Sequence, residues 1–215
     1  MTELERILET MLNEVNKSDG IALEEIPGID LYMDQLTTFM DDHLRERSRY
    51  PKSDKILTKT MINNYAKNDL LPPPIRKKYS KDHLLLLIFI YYLKSILSIS
   101  DINTLIAPLK ERFHVSDTED VNLSKIYETM QRLILEDRET LINGLTKKAQ
   151  ITKDAFPELD EAEGEELRTL AFLVVTAYDV YMKKLLIEKT IDRLSAKRAP
   201  EGKKGKPARE KKRKD

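Results

Sequence analysis

Ten consecutive apolar residues, Leu84–Leu93 (LLLLIFIYYL), occupy the middle of this chain. Ser80 before them suits a helix cap and Asp82 falls in the first turn, so the run predicts a helix reaching to Leu97. A helix that is apolar almost all round must be enclosed by others. The run is well short of the about 20 residues that a membrane crossing needs. It therefore predicts the central pillar of a soluble helical protein, with amphipathic helices packed around it.

Those helices are legible in the periodicity. Leu4, Ile7, Leu8, Met11, Leu12 and Val15 recur at helical spacing over 2–16, and Ser18-Asp19-Gly20 ends them. Beyond a loop with Pro27 and Gly28, Asp30 is a cap for a helix over 31–46 carrying Leu31, Leu36, Phe39, Met40 and Leu44. Arg45, Arg47, Arg49 and Lys52 crowd its end, where cations complement the helix dipole. Thr58 caps a short helix over 59–68, with Met61, Ile62 and Tyr65 on one face and Asn63, Asn64 and Lys67 on the other. Ser98-Ile99-Ser100-Asp101 fits a capping box that opens a helix over 100–112. A helix over 122–149 and a last one from Leu167 to Leu194 follow. At 1.5 Å per residue the last is about 45 Å long, more than a small domain needs. The excess predicts pairing with the other long helix or with a second chain. The fold class expected is all-α.

Charge is unevenly placed. Lys and Arg total 37, as do Asp and Glu, so the formal net charge is zero. Yet residues 1–44 are net −9, 45–94 net +8, 95–196 net −6 and 197–215 net +7. Positive charge concentrated in two segments is the footprint that a polyanionic partner leaves, or equally that of an acidic protein whose basic segments neutralise its own acidic ones. The tail from Lys197 lacks apolar periodicity and is disordered by composition.

Several chemistries find no support. The chain has no cysteine, which excludes disulfides and thiolate metal sites and fits a reducing cytoplasm. The N-terminus lacks the basic flank and apolar core of a signal peptide. His43, His83 and His114 show no metal-ligand spacing, and Asp82-His83 reads as helix N-terminal chemistry. No Gly-rich phosphate loop, dinucleotide fingerprint or nucleophile elbow is present. Glu158–Glu166 reads as a solvated loop and helix start. Tyr91-Tyr92 and the Tyr178/Tyr181 pair fall at core spacing and read as packing residues. No catalytic residue, metal or cofactor is expected, and the protein is not expected to be an enzyme.

Between the short helix and the apolar one lies Leu70-Leu71-Pro72-Pro73-Pro74-Ile75-Arg76-Lys77-Lys78-Tyr79-Ser80. Three prolines cannot continue a helix, so a stiff bend leads into an extended basic segment. Thr60-Met61-Ile62-Asn63-Asn64-Tyr65 running to Leu70-Leu71-Pro72-Pro73, then Lys77-Lys78-Tyr79-Ser80, then Leu87, Ile90, Leu93 and Leu97-Ser98-Ile99-Ser100-Asp101-Ile102 resemble the DNA-binding unit of the MerR-type regulators over 58–106. More closely, LYMDQ, LTKTMINNYAK, the KKYSKDH after the prolines and IYYLK resemble a bacterial family catalogued as domain of unknown function eighteen thirty-six, over 20–170.

The MerR resemblance implies a winged helix-turn-helix over 30–112, preceded by the amphipathic helix and loop of 1–29. It would be followed by a helical dimerisation or effector region over 113–196 and the basic tail of 197–215. In such a unit the short helix enters the major groove of double-stranded DNA with its first residues at the base edges. Lys59, Thr60, Asn63, Asn64 and Lys67 would face the bases, while Arg76, Lys77 and Lys78 would straddle phosphates. Tyr65 and Tyr79 would pack behind them. The implied protein is a cytoplasmic transcriptional regulator acting as a homodimer, with an unidentified small-molecule effector and no membrane role. The competing reading is an α-helical protein-interaction module without nucleic-acid binding. The chain departs from the MerR pattern in carrying Asn63-Asn64 where an Arg-Tyr pair is usual. Its wing is short and proline-rich, which argues against a regular β-hairpin.

Overall fold

A computed structural model of the chain describes residues 3–17, 20–116 and 118–198. Among them, seven α-helices and two very short strands account for the regular structure, apart from two single 3-10 turns. The helices are α1 (Glu3–Lys17), α2 (Met33–Leu44), α3 (Lys59–Lys67), α4 (Lys81–Leu93), α5 (Ile99–Lys110), α6 (Leu123–Lys153) and α7 (Glu161–Arg198). The strands are β1 (Leu31–Tyr32) and β2 (Lys78–Tyr79).

The apolar run forms α4, and it is the pillar. His83 through Ile88 and Ile90 are all buried. Leu36, Met40 and Leu44 of α2, Ile62 and Tyr65 of α3, and Ile102 and Ile106 of α5 complete one core with it. Leu123 and Tyr127 of α6 and Ile191 of α7 join the same core. Burying a side chain of this size contributes about 1.5–3 kcal/mol each, and α4 buries more apolar side chains than any other helix among the described residues. The helix stops at Leu93 rather than Leu97, although Leu97 is still buried.

Local chemistry sets the helix ends. Thr58 Oγ1 accepts from the Met61 N–H at 3.2 Å, and Ser98 Oγ accepts from the Asp101 N–H at 3.1 Å. After α3, Asp69 takes a left-handed φ of 57° and the Leu70 N–H reaches back to the Tyr65 carbonyl at 2.8 Å. That closure buries Leu70 and turns the chain sharply into the prolines. In α5, Pro108 has no N–H for the Thr104 carbonyl four residues back. The Arg198 guanidinium at the end of α7 supplies that missing donor at 3.0 Å.

The start of α2 departs from expectation. Leu31 and Tyr32 are extended rather than helical, and Tyr32, not Asp30, is the N-cap. The Tyr32 N–H donates to Gln35 Oε1 at 2.9 Å, which satisfies one of the helix's first donors. β1 pairs antiparallel with β2, Leu31 opposite Tyr79 and Tyr32 opposite Lys78. The alternation of a strand sends Leu31 and Tyr79 into the core and leaves Tyr32 and Lys78 outside.

The long helices exceed their expected bounds. α6 has 31 residues and α7 has 38, so α7 is about 57 Å long at helical rise. They run antiparallel, with Lys148 Nζ 2.9 Å from Asp179 near the far end. α1 lies along α6, where Arg138 donates to the Asn16 carbonyl at 2.9 Å and Lys153 meets Glu5 at 3.4 Å. Lys197 and Arg198 end α7, and the rest of the expected basic tail lies outside the described residues. Ser18 and Asp19, expected to stop α1, also lie outside them. No helix among the described residues is long and apolar enough to cross a membrane.

Candidate nucleic-acid interface

α3 is amphipathic over only nine residues. Ile62 and Tyr65 are buried, so helical spacing forces Lys59, Thr60, Asn63, Asn64 and Lys67 outward, and all five are exposed. The far end of α3 is pinned by Lys110 of α5. Its ammonium reaches the Asp69 carbonyl at 2.6 Å, the Asp69 carboxylate at 3.1 Å and Asn103 Oδ1 at 2.7 Å. Lys59 at the near end forms an exposed ion pair with Asp34 of α2.

The basic segment does fold back on itself. The Ile75 N–H donates to the Lys78 carbonyl at 3.1 Å, and the Lys78 N–H donates to the Ile75 carbonyl at 2.9 Å. Arg76 and Lys77 form the two-residue tip with φ of 50° and 65°. These are the φ signs of the tight turn that joins two twisted strands. A minimal hairpin therefore exists where the prolines argued against a regular one. Pro72–Pro74 precede the turn instead of sitting in it, so their missing donors cost the ladder nothing.

Arg76 and Lys77 are exposed at the tip, while Lys78 is half-buried. The Lys78 ammonium stands 5.2 Å from the centre of the Tyr32 ring. Tyr32 and Asp34 lie within the LYMDQ stretch of the family resemblance, but their part here could not be read from it. Two positions apart at the start of α2, they hold Lys78 of the hairpin and Lys59 of α3. Both elements therefore contact one short segment at the start of α2. An exposed Asn carboxamide offers a donor and an acceptor side by side, and the tip adds two cations.

His83 supports the hairpin from beneath. It is 1% exposed, and its Nδ1 accepts from the Ser80 N–H at 2.9 Å. That bond places the ring proton on Nε2, which faces the Pro72 and Pro73 carbonyls without reaching hydrogen-bond geometry. Tyr79 and Phe113 pack edge-on against the ring at 5.3 and 4.7 Å. Burial above all, with the nearby His114 adding to it, pushes the imidazole down to about 4. His83 is a neutral packing and capping group, as expected of helix N-terminal chemistry. Among the described residues, no group of three or more His, Asp or Glu side chains is placed to hold a metal ion.

The tyrosine pairs depart from the packing role expected of them. Tyr91 is half-buried, but Tyr92 is 43% exposed, Tyr178 64% and Tyr181 57%. Tyr178 and Tyr181 lie on the outer side of α7, where core spacing is continued without a core to fill it.

The family model described as Domain of unknown function (DUF1836) matches residues 21–130. The match spans β1 through α5 and the first turns of α6, and so includes α3, the hairpin and the pillar. The chain belongs to that family. No curated protein and no solved structure matches it.

Proposed function

We propose that this member of the DUF1836 family is a cytoplasmic DNA-binding transcriptional regulator with a MerR-like winged helix-turn-helix. The observation that carries the reading is that two exposed polar elements, α3 and the hairpin, both contact the start of α2. Lys59 of α3 pairs with Asp34 and Lys78 of the hairpin stands over the Tyr32 ring, and in this reading Asn63, Asn64, Arg76 and Lys77 face one duplex. The order strand, α2, α3, hairpin, strand, α4 is the order that a winged helix-turn-helix requires. In this reading α3 enters the major groove with Lys59, Thr60, Asn63, Asn64 and Lys67 toward the base edges. Arg76, Lys77 and Lys78 lie toward the phosphates and set affinity and register. The proline bend stiffens the approach to the hairpin, so its cations lose less freedom on binding. The segment between α2 and α3 is residues 45–58, longer than the 3–4-residue turn of a simple helix-turn-helix.

The same reading makes the protein a homodimer. On α7, Val174, Tyr178 and Tyr181 recur at i, i+4 and i+7, and all are more than half exposed. Contiguous apolar stripes of this kind are rarely left to water. A twin α7 would cover the stripe and place two α3 helices on one palindromic site. The stripe also favours the second reading, an α-helical protein-interaction module that binds no nucleic acid.

Titration of genomic DNA fragments at two salt concentrations separates them. The regulator reading expects binding that weakens steeply with salt. Arg76→Ala with Lys77→Ala weakens binding to all sequences alike, whereas Asn63→Ala with Asn64→Ala relaxes the preference for one sequence. Absence of binding at low salt favours the interaction module.

A further inference from the structure

A cavity of about 540 Å3 opens between α4, α5 and α6, within the roughly 300–1,000 Å3 range of small-molecule sites. Ile88, Leu93, Leu105, Ile106, Leu109 and Ile134 supply much of its wall. Polar groups gather at one end only. There Gln131 Nε2 donates to the Tyr127 hydroxyl at 3.0 Å, and that hydroxyl donates to the Ile21 carbonyl at 2.7 Å, so these two are occupied with each other and the backbone.

Arg47 is different. It is exposed at the rim, and its guanidinium donates to the Tyr92 hydroxyl at 2.8 Å and the Gly20 carbonyl at 2.9 Å. Both acceptors are neutral. Arg47 and Tyr92 also line a second recess of about 400 Å3, together with Arg49, Lys55 and Lys94. Asp54 is the one carboxylate on that recess, and it is bonded to the Tyr50 N–H at 3.0 Å. An apolar chamber and a strongly cationic recess therefore meet at one Arg-Tyr pair. Lys94 donates to the Ile56 carbonyl at 2.7 Å, which fixes the far wall of the recess.

We propose that the two spaces form one binding site for an amphipathic anion, with an alkyl or acyl chain in the chamber and an acidic head at Arg47. Apolar walls offer a chain its transfer energy and offer a polar molecule nothing. A planar guanidinium already oriented by two bonds suits the paired oxygens of a carboxylate or phosphate. The site shares no residue with α3 or the hairpin, so it stands or falls apart from the DNA reading.

Isothermal titration of the full chain with decanoate, decyl phosphate and decanol, each below its aggregation limit, tests the assignment. At least one anion should bind saturably at one per chain, about tenfold tighter than the alcohol. A preference for decanoate assigns a carboxylate head, and a preference for decyl phosphate assigns a phosphate. Arg47→Gln should weaken the preferred anion about tenfold and leave decanol unchanged. Arg49→Gln, which leaves both Arg47 bonds intact, should weaken the anion several-fold. Met130→Trp at the chamber wall should abolish binding of the chain. Equal affinity for anion and alcohol, binding that survives Met130→Trp, or no binding by any of the three would overturn the site.

Discussion

Lys59, the first residue of α3, pairs with the Asp34 carboxylate in the first turn of α2. The two side chains are 60% and 78% exposed, so the pair adds little to stability. Its consequence is electrostatic. The carboxylate cancels the charge of Lys59, right where a phosphate or guanine would compete for it. Asp34→Asn should therefore tighten DNA binding several-fold and steepen its dependence on log salt by about 0.9, the increment of one added phosphate contact. Urea unfolding should shift by less than about 0.5 kcal/mol. Weaker DNA binding in Asp34→Asn would show that the carboxylate orients Lys59 more than it masks it.

His83 gives the fold a pH limit. Its folded pKa is about 4, set chiefly by burial, against the about 6.5 of an unfolded histidine. His114 repels the cation further, while Asp30 and the Pro72 and Pro73 carbonyls act the other way. As pH falls through about 6.5 the unfolded chain takes up a proton that the folded chain refuses until about 4. Stability is therefore full above that window and is lost across it, by about 3 kcal/mol in all. Urea midpoints measured from neutral pH to about pH 5 should fall more steeply for the native chain than for His83→Phe, which keeps a ring against Tyr79 and Phe113. Equal slopes in the two proteins would rule His83 out as the cause.

The helices were legible because each carries its own periodic signal. Thr58 and Ser98 announce caps within four residues of their partners, and the unbroken apolar run fixes α4 as the pillar. The two-residue strands were not legible. A period of two needs more than Leu31-Tyr32 to be seen, and Leu31 fits the helical spacing of Leu36 and Met40 equally well. The hairpin tip was hidden for a different reason. Arg-Lys is not a turn-forming pair, and its left-handed conformation is imposed by the pairing of Ile75 with Lys78. The exposed polar face of α3 could be read from spacing alone. Its anchors, Tyr32 and Asp34, could not, because they come from another element. Arg47, read as a helix-end cation, meets Tyr92 some 45 residues away only through the fold.

The outer stripe of α7 can be broken without touching the core. Val174 and Tyr178 are exposed in the single chain, so Val174→Glu with Tyr178→Glu should keep the helical circular dichroism of the native protein. Light scattering should show the native protein at twice the 25.0 kDa chain mass and the double variant at one chain. DNA affinity should fall with it, since two linked reading heads gain by effective concentration what one head lacks. A native protein that already runs as a monomer would remove the twin helix from the proposal and leave α7 to a different partner.

The hairpin tip trades stability for charge. Arg76 and Lys77 both hold left-handed φ, which costs a residue with a side chain roughly 1–2 kcal/mol. Asn-Gly is the pair that adopts this two-residue turn without that strain. Arg76→Asn with Lys77→Gly should therefore raise the urea unfolding free energy by about 1–2 kcal/mol. The same change removes both tip cations, so DNA binding should weaken and its log-salt slope should fall by about two. Arg76→Ala with Lys77→Ala should lose the same slope and gain no stability, because alanine retains the strain. An Asn-Gly tip that is more stable and binds DNA unchanged would mean that the hairpin charges never meet phosphate.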